Sequence, residues 1–271
     1  LHYPLRRQRQ MCIRDRTNCE LAMPRLMLTD EHWSKLKPIL LQQRIYDKAD
    51  LRMTVEGILY RIRTGCQWRD LPDDFGHWNT VYKRFNAWSA AGKLMTVFNR
   101  LVEDPDTEWL FIDGSYIKAH QDCTGAATEE VEAIGKSRAG NTSKIHLAVD
   151  AYGLPIAFRI TGGDVHDSTE AQALIDELPI GGALVADKGY DSERIREQVD
   201  AKGMDSVIPR KRNSKTGNSS LDRGLYRYRH LVENAFARLK PYRAIATRYD
   251  KLKRNYESMV ALACGFLWLP M

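Results

Sequence analysis

Hydrophobic and polar positions keep a helical rhythm through the first third of the chain and a strand rhythm beyond it. Thr29-Asp30-Glu31 offers an N-cap and two first-turn acids to a helix carrying Trp33, Leu36, Ile39 and Leu40. Asp50 stands in the same relation to a second helix over Met53 to Arg63. There Val55, Ile58, Leu59 and Ile62 recur at i, i+3, i+4, i+7 as one apolar stripe, and Gly65 stops the helix. After the turn-rich Leu71 to Gly76, Asn79 is the expected cap of a third helix. Its Val81, Phe85 and Trp88 face inward, Lys83 and Arg84 face outward, and Gly92 ends it.

From Trp109 the period shortens. The spacing predicts strands over Trp109 to Ile112, extending through Tyr116 to Ala119, over Lys144 to Val149, and over Leu154 to Ile160 after a Tyr152-Gly153 turn. A helix from Ser168 to Leu178, a strand from Ala183 to Ala186, a helix from Ser192 to Ala201 and a strand from Asp205 to Ile208 follow. A meander that then alternates with helices implies an α/β fold, a mixed sheet with helices on its faces. Gln121 to Thr142 and Asn213 to Asp222 read as polar loops. The three N-terminal helices are similar to a helix-turn-helix module, with Lys83 and Arg84 as candidate DNA contacts. A plain helical bundle stays open, because Trp78, Tyr82 and Trp88 suit a core as well as a base stack.

Length and composition narrow the classes. At 271 residues with 43% apolar content, the chain can build one large core or two modest domains. The best membrane candidate, Met259 to Leu269, is too short to span and includes Gly265, so it reads as a buried terminal helix. Five widely spaced cysteines, odd in number, point to reduced intracellular thiols rather than a disulfide frame or zinc site. Residues 1–22 carry dense arginines and no apolar periodicity; they are expected to be a non-native or disordered tail, with Met23 as the natural start. The net charge of +6 is concentrated: Arg210 to Arg254 hold fourteen Lys or Arg against Asp222, Glu233 and Asp250, which leaves the remainder of the chain acidic. Such a segment suggests a positive groove for a polyanion.

Three carboxylates stand out in that frame. Asp113 and Asp187 each follow a short apolar run that reads as a buried strand, the edge where open α/β sheets place ligands. Glu233 shares an apparent helix with Tyr226, Arg229 and Lys240, and at about 100° per residue the four side chains fall within roughly 60° of arc. Singly, each acid has an ordinary reading: Asp187 as a cap, Glu233 and Arg229 as an i, i+4 pair on a wet face. Jointly they suit two-metal phosphoryl transfer, in which two divalent ions about 4 Å apart clamp the attacking and leaving oxygens. Asp113 would bridge the ions, and Asp187 and Glu233 would each complete one.

These residues carry a resemblance. From Leu28 to the end the chain resembles the DDE transposases of bacterial insertion sequences, of the fifth such family and close to the fourth. The signature around their third acid is Tyr, two residues, Arg, three residues, Glu, six residues, Lys, matched without a gap by Tyr226, Arg229, Glu233 and Lys240. Asp113 in Phe-Ile-Asp-Gly-Ser and Asp187 in Ala-Asp-Lys-Gly-Tyr-Asp match the first two acids, and Gly65 to Pro72 is similar to the family's N-terminal helical region. The resemblance implies an RNase H-like catalytic domain over residues 107–271 behind a small helical, helix-turn-helix-like DNA-binding domain over residues 27–103. It implies Mg²⁺ or Mn²⁺, two ions, held by Asp113, Asp187 and Glu233 as catalytic and metal-binding residues, with Tyr226, Arg229 and Lys240 on DNA. It further implies binding of terminal inverted repeats and target DNA, cleavage at the element ends with strand transfer, a homo-oligomeric synaptic complex, and a bacterial cytoplasmic, nucleoid-associated location away from membranes. An RNase H-like nuclease without strand transfer, or a domesticated DNA-binding regulator, would use the same residues and remains an alternative. Gly163-Asp164-Val165-His166-Asp167 also resembles a family segment; it reads as a loop and helix cap through Asp167 or Ser168, with no catalytic role.

Overall fold

The computed structural model describes residues 25–125, 132–212, 214 and 216–271. The expected tail, Cys12 and Cys19 lie outside the described residues. Among the described residues seven strands form one mixed sheet: β1 (Trp109–Ala119), β2 (Gly135–Ser137), β3 (Gly140–Val149), β4 (Pro155–Gly162), β5 (Ala183–Val185), β6 (Asp205–Val207) and β7 (Thr247–Arg248). The main order is β4-β3-β1-β5-β6, with β3 antiparallel to both neighbours and β5 and β6 parallel to β1. This is the mixed sheet that the RNase H-like expectation requires. β2 folds back on β3, and β7 runs parallel to the far end of β1.

Ten helices accompany the sheet among the described residues: α1 (Asp30–Gln42), α2 (Leu51–Thr64), α3 (Trp78–Ala90), α4 (Lys93–Leu101), α5 (Asp167–Glu177), α6 (Glu193–Ala201), α7 (Arg223–Tyr226), α8 (His230–Leu239), α9 (Arg243–Ala246) and α10 (Lys253–Trp268). The apolar stripe Val55, Ile58, Leu59 and Ile62 of α2 is buried as its spacing requires. Gly65 ends that helix in the left-handed conformation, φ 69°. The C-terminal α10 packs on α2, α3 and α4 and also on β4, so one continuous core runs from Phe85 and Phe98 to Phe158 and Val260. Among the described residues no helix is long and apolar enough to cross a membrane.

Several local readings change. A fourth helix, α4, follows α3; Gly92 does not simply end one helix but, at φ 65°, starts the next. Thr29 caps α1 as expected, whereas Asp50 makes no cap bond: its carboxylate pairs with Arg84 at 2.9 Å. Arg84 also donates to Thr54 Oγ1 at 2.6 Å, and Lys83 is exposed. The third helix begins at Trp78, before the expected Asn79 cap. The segment read as a loop up to Thr142 holds β2 and the start of β3, a hairpin whose residues Lys136 to Asn141 lack any apolar alternation to betray it. His166, rather than Asp167 or Ser168, caps α5 by accepting from Ser168 N.

A buried ion pair joins the helical segment to the C-terminal part. Arg61 of α2 lies 3.2 Å from Asp250, with side chains 7% and 8% exposed, and its guanidinium stacks 4.8 Å from the Trp68 ring centre. Arg248, fully buried, donates to the Asp250 carbonyl and to Ser143 Oγ of β3. Two buried cations thus hang on one short segment after β7.

Candidate active site

Strand register alone brings the first two acids together. Phe111 of β1 pairs with Val185 of β5 in parallel, and Asp113 and Asp187 each stand two residues further on. Asp113 is therefore level with Asp187, which leaves β5 and caps the following turn by accepting from Gly189 N at 2.7 Å. Asp113 does not end its strand, since β1 continues to Ala119; its Oδ1 accepts from Gly114 N at 2.8 Å.

The third acid arrives from the opposite end of the sequence. Tyr226 closes α7, Arg227–Arg229 form a 3₁₀ turn, and α8 carries Glu233, so the single helix expected through Tyr226 to Lys240 is broken by a tighter turn. Two contacts fix that turn. Tyr228 stacks on Trp109 at the start of β1, ring centres 5.4 Å apart, and Val232, Ala235, Phe236 and Leu239 bury the inner face of α8. Arg229 is left facing Asp113. Its Nη1 lies 3.3 Å from Asp113 Oδ2 while its Nη2 pairs with Glu233, so one guanidinium joins two acids 120 residues apart in sequence. Tyr226 is half-buried close to Arg229, and Lys240, at the end of α8, is exposed.

The electrostatics are those of crowded carboxylates. Burial pushes the Asp113 carboxyl up to about 6; the Gly114 N–H and Arg229 pull it back, while Asp187 and Asp167 add to the rise. Asp167, read from the sequence as a possible helix cap, lies within this electrostatic neighbourhood. It sits at the start of α5 beside Lys144 and His146, whose side chains point from β3 into the interior, 2% and 1% exposed. Burial pushes His146 down to about 4, against the charge of Asp167. The available signal was the Lys144-Ile145-His146-Leu147 alternation, which reads as one wet face but is covered by α5.

Asp113 and His146 tilt stability with pH in opposite senses. The Asp113 carboxyl takes its proton more readily in the fold than at its ordinary value of 3.8, so its contribution is full below about pH 3.8 and is lost as pH rises through about 6. The contribution of His146 is present above its ordinary 6.5 and is lost as pH falls through about 4. Each is on the order of 2–3 kcal/mol. His146→Gln removes one slope, so the metal-free variant is expected to show a higher urea midpoint at pH 5 than at pH 7. Equal midpoints would mean that Asp113 titrates as an ordinary surface acid.

Carboxylate oxygens, one of them on an acid that burial pushes up to about 6, are the donors that a hard divalent cation prefers. Among the described residues no three His, Cys, Asp or Glu side chains are grouped to hold an ion as they stand. Arg229 lies between Asp113 and Glu233 and supplies the positive charge there.

Comparison with known proteins identifies the family. Residues 28–98 match the family described as a putative transposase of the IS4/5 family, and residues 104–268 match the transposase DDE domain. A putative transposase for insertion sequence element IS6501 from Brucella ovis is 35% identical over 129 residues, which are 47% of this chain and 98% of that one. A putative transposase for IS402 from Burkholderia cepacia is 35% identical over 138 residues, 47% of this chain and 63% of the relative. A chain of a pre-cleavage Mos1 transpososome overlaps 97% of this chain and 85% of its own at 9% identity and a TM-score of 0.27, too slight a likeness to bear on the site. With the DDE domain model covering more than half of its length, the chain belongs to the DDE transposases of bacterial insertion sequences.

Proposed function

We propose that Asp113, Asp187 and Glu233 are the three acids with which this transposase cleaves DNA at the ends of its element and joins the freed ends to target DNA. The observation that supports the reading is the Arg229 bridge: one guanidinium pairs with both Glu233 and Asp113, and strand register sets Asp113 beside Asp187. The three carboxylates would hold Mg²⁺ or Mn²⁺, two ions, on a strand, a strand-end turn and a helix. Bound there, the ions would activate a water and then a 3′-hydroxyl for in-line attack on phosphorus and neutralise the charge that develops.

The chain's own residues supply placement. Arg229 neutralises Asp113 and Glu233 until phosphate and cations take over that task, and Lys240 and Tyr226 extend the same surface along the DNA backbone. The basic segment Arg210 to Arg254 draws the polyanion toward the acids. Lys83, exposed on α3, meets DNA from the helical region 27–103, while Arg84 shapes that surface through Asp50 and Thr54. Two ends must be held at once, so the working form is a homo-oligomer in the bacterial cytoplasm, at the nucleoid.

A donor plasmid carrying the matching inverted repeats tests the reading. Joined products support transposition by this site; cleavage without joining would identify a nuclease, and binding without cleavage a regulator. Arg229 gives a graded version. Arg229→Ala is expected to slow end cleavage by about 10- to 100-fold and to weaken binding of end DNA, and Arg229→Lys to recover only part, because an ammonium cannot fork between two carboxylates. Full activity in Arg229→Ala would dismiss the bridge as a surface ion pair.

A further inference from the structure

The turn that follows Asp187 holds on to a loop from further along the chain. Register pairs Val185 of β5 with Val207 of β6 in parallel, so Asp187 and Pro209, each two residues further on, leave the sheet at the same edge. Asp191, four residues after Asp187, reaches the chain that leaves β6. Its Oδ2 accepts from the Lys211 N–H at 2.7 Å, and its Oδ1 accepts from Arg196 Nη2 of α6 at 2.8 Å. The same Nη2 donates to the Ile208 carbonyl at 2.8 Å, so one carboxylate and one guanidinium clamp both ends of residues 208–211. The two side chains are 10% and 11% exposed. Burial works to raise the Asp191 carboxyl, but the hydrogen bonds from Arg196 and Lys211 outweigh it and hold the acid below its ordinary value.

The clamp does more than close the loop. Asn218 already does that, its Oδ1 accepting from the Arg210 N–H at 2.6 Å and its Nδ2 donating to the Arg210 carbonyl at 3.2 Å. What Asp191 adds is a fixed place for the loop's first residues relative to Asp187. The cations of this corner then divide in two. Arg196 is engaged by Asp191 and Arg210 by Glu193, whereas Lys211 and Arg212 are exposed and enter no ion pair among the described residues. A cation on a free loop gives up backbone and side-chain entropy when it grips an anion; on a pinned backbone the first share is already spent. Lys211 and Arg212 also open the basic segment that runs from Arg210 to Arg254, so the anion they suit is a polyanion lying along the sheet edge of Asp187.

We infer that Asp191 is a positioning residue for DNA: by holding the Lys211 N–H it fixes Lys211 and Arg212 beside the turn that carries Asp187, where the two side chains take phosphates of the DNA backbone. Contacts to phosphate set register and orientation without reading a base, so this grip serves element ends and target DNA alike. The inference rests on the proposed role of Asp187 and names the residues that hold DNA on its side of the centre.

The salt dependence of binding to a duplex with the matching inverted repeat, measured on the intact chain without divalent metal, tests this. Lys211→Ala with Arg212→Ala is expected to weaken binding by about 10- to 100-fold at about 0.1 M salt and to lower the slope of log affinity against log salt by about 2. An unchanged slope would overturn the inference. Asp191→Asn, folded by circular dichroism, is expected to lose much of the same affinity, and little more when combined with the other two changes, because a residue acting through the loop then has nothing left to position. Losses that add in full would refute the positioning role. Should Asp191→Asn fail to fold, amide exchange in the unaltered chain decides: the Lys211 N–H is expected to exchange more slowly once the duplex is bound, and an unchanged rate would rule Asp191 out. Cleavage that survives Asp187→Asn would instead overturn the catalytic reading and leave the grip on DNA standing.

Discussion

Asp113→Asn is expected to leave a folded protein that binds element-end DNA and cuts it at least about a thousandfold more slowly. The asymmetry follows from where the charge sits. Asp113 is 22% exposed and hydrogen-bonded at Oδ1, and burial has already pushed its carboxyl up to about 6, so at neutral pH its ionisation works against the metal-free fold. An amide of the same shape keeps the Gly114 contact, removes that cost and gives up one arm of the Arg229 bridge. Metal-free stability at pH 7 should therefore be unchanged or higher, while the oxygen charge needed to hold a divalent cation is gone. Activity and unfolding midpoint measured on one preparation check both halves. If they fell together, Asp113 would be a structural residue; if cleavage persisted with the same metal dependence, the assignment of the first acid would be wrong.

Much of this was legible in the order of residues, for physical reasons. Val55 to Ile62 and the runs before Asp113 and Asp187 bury one stripe or both faces, so their periodicity survives the tertiary structure. Tyr226, Arg229, Glu233 and Lys240 could be placed near one another by helical spacing, although the 3₁₀ turn at Arg227–Arg229 alters the arc. The Arg229 to Asp113 contact could not be read. An i, i+4 pair with Glu233 looks the same on a wet helix as on one pressed against a sheet, and only the stacking of Tyr228 on Trp109 decides between them. The burial of Lys144 and His146 beside Asp167 was hidden more deeply: the polar face of β3 is covered by α5, and that is a property of packing which alternation cannot report. The β2–β3 hairpin and α4 escaped because the first lacks apolar residues and the second begins directly after a glycine that also suits a helix end.

Arg61→Ala is expected to destabilise the whole chain by about 3–5 kcal/mol, the largest loss of stability from any single change considered, because it leaves Asp250 charged and 8% exposed without its partner. Part of that loss comes from packing, since the guanidinium also lies over Trp68 and donates to Met259 Sδ of α10. Replacing both partners separates the contributions. Arg61→Met with Asp250→Leu removes both charges and refills the volume, and it should recover most of the stability, as buried ion pairs rarely exceed a well-packed apolar substitute. The functional consequence follows from position. Arg61 belongs to α2, Asp250 to the segment just after β7, and Arg248 ties that segment to β3, so the pair locks the helical region against the sheet that carries Asp113. If DNA is gripped by Lys83 on the helices and by the acids on the sheet, that lock sets the distance between grip and cut. The apolar double variant should then stay stable yet shift the ratio of DNA binding to cleavage. Identical binding and cleavage in a stable double variant would show that the ion pair contributes to folding only, whereas a double variant no more stable than Arg61→Ala would mean that packing around Trp68, not charge, holds the two regions together.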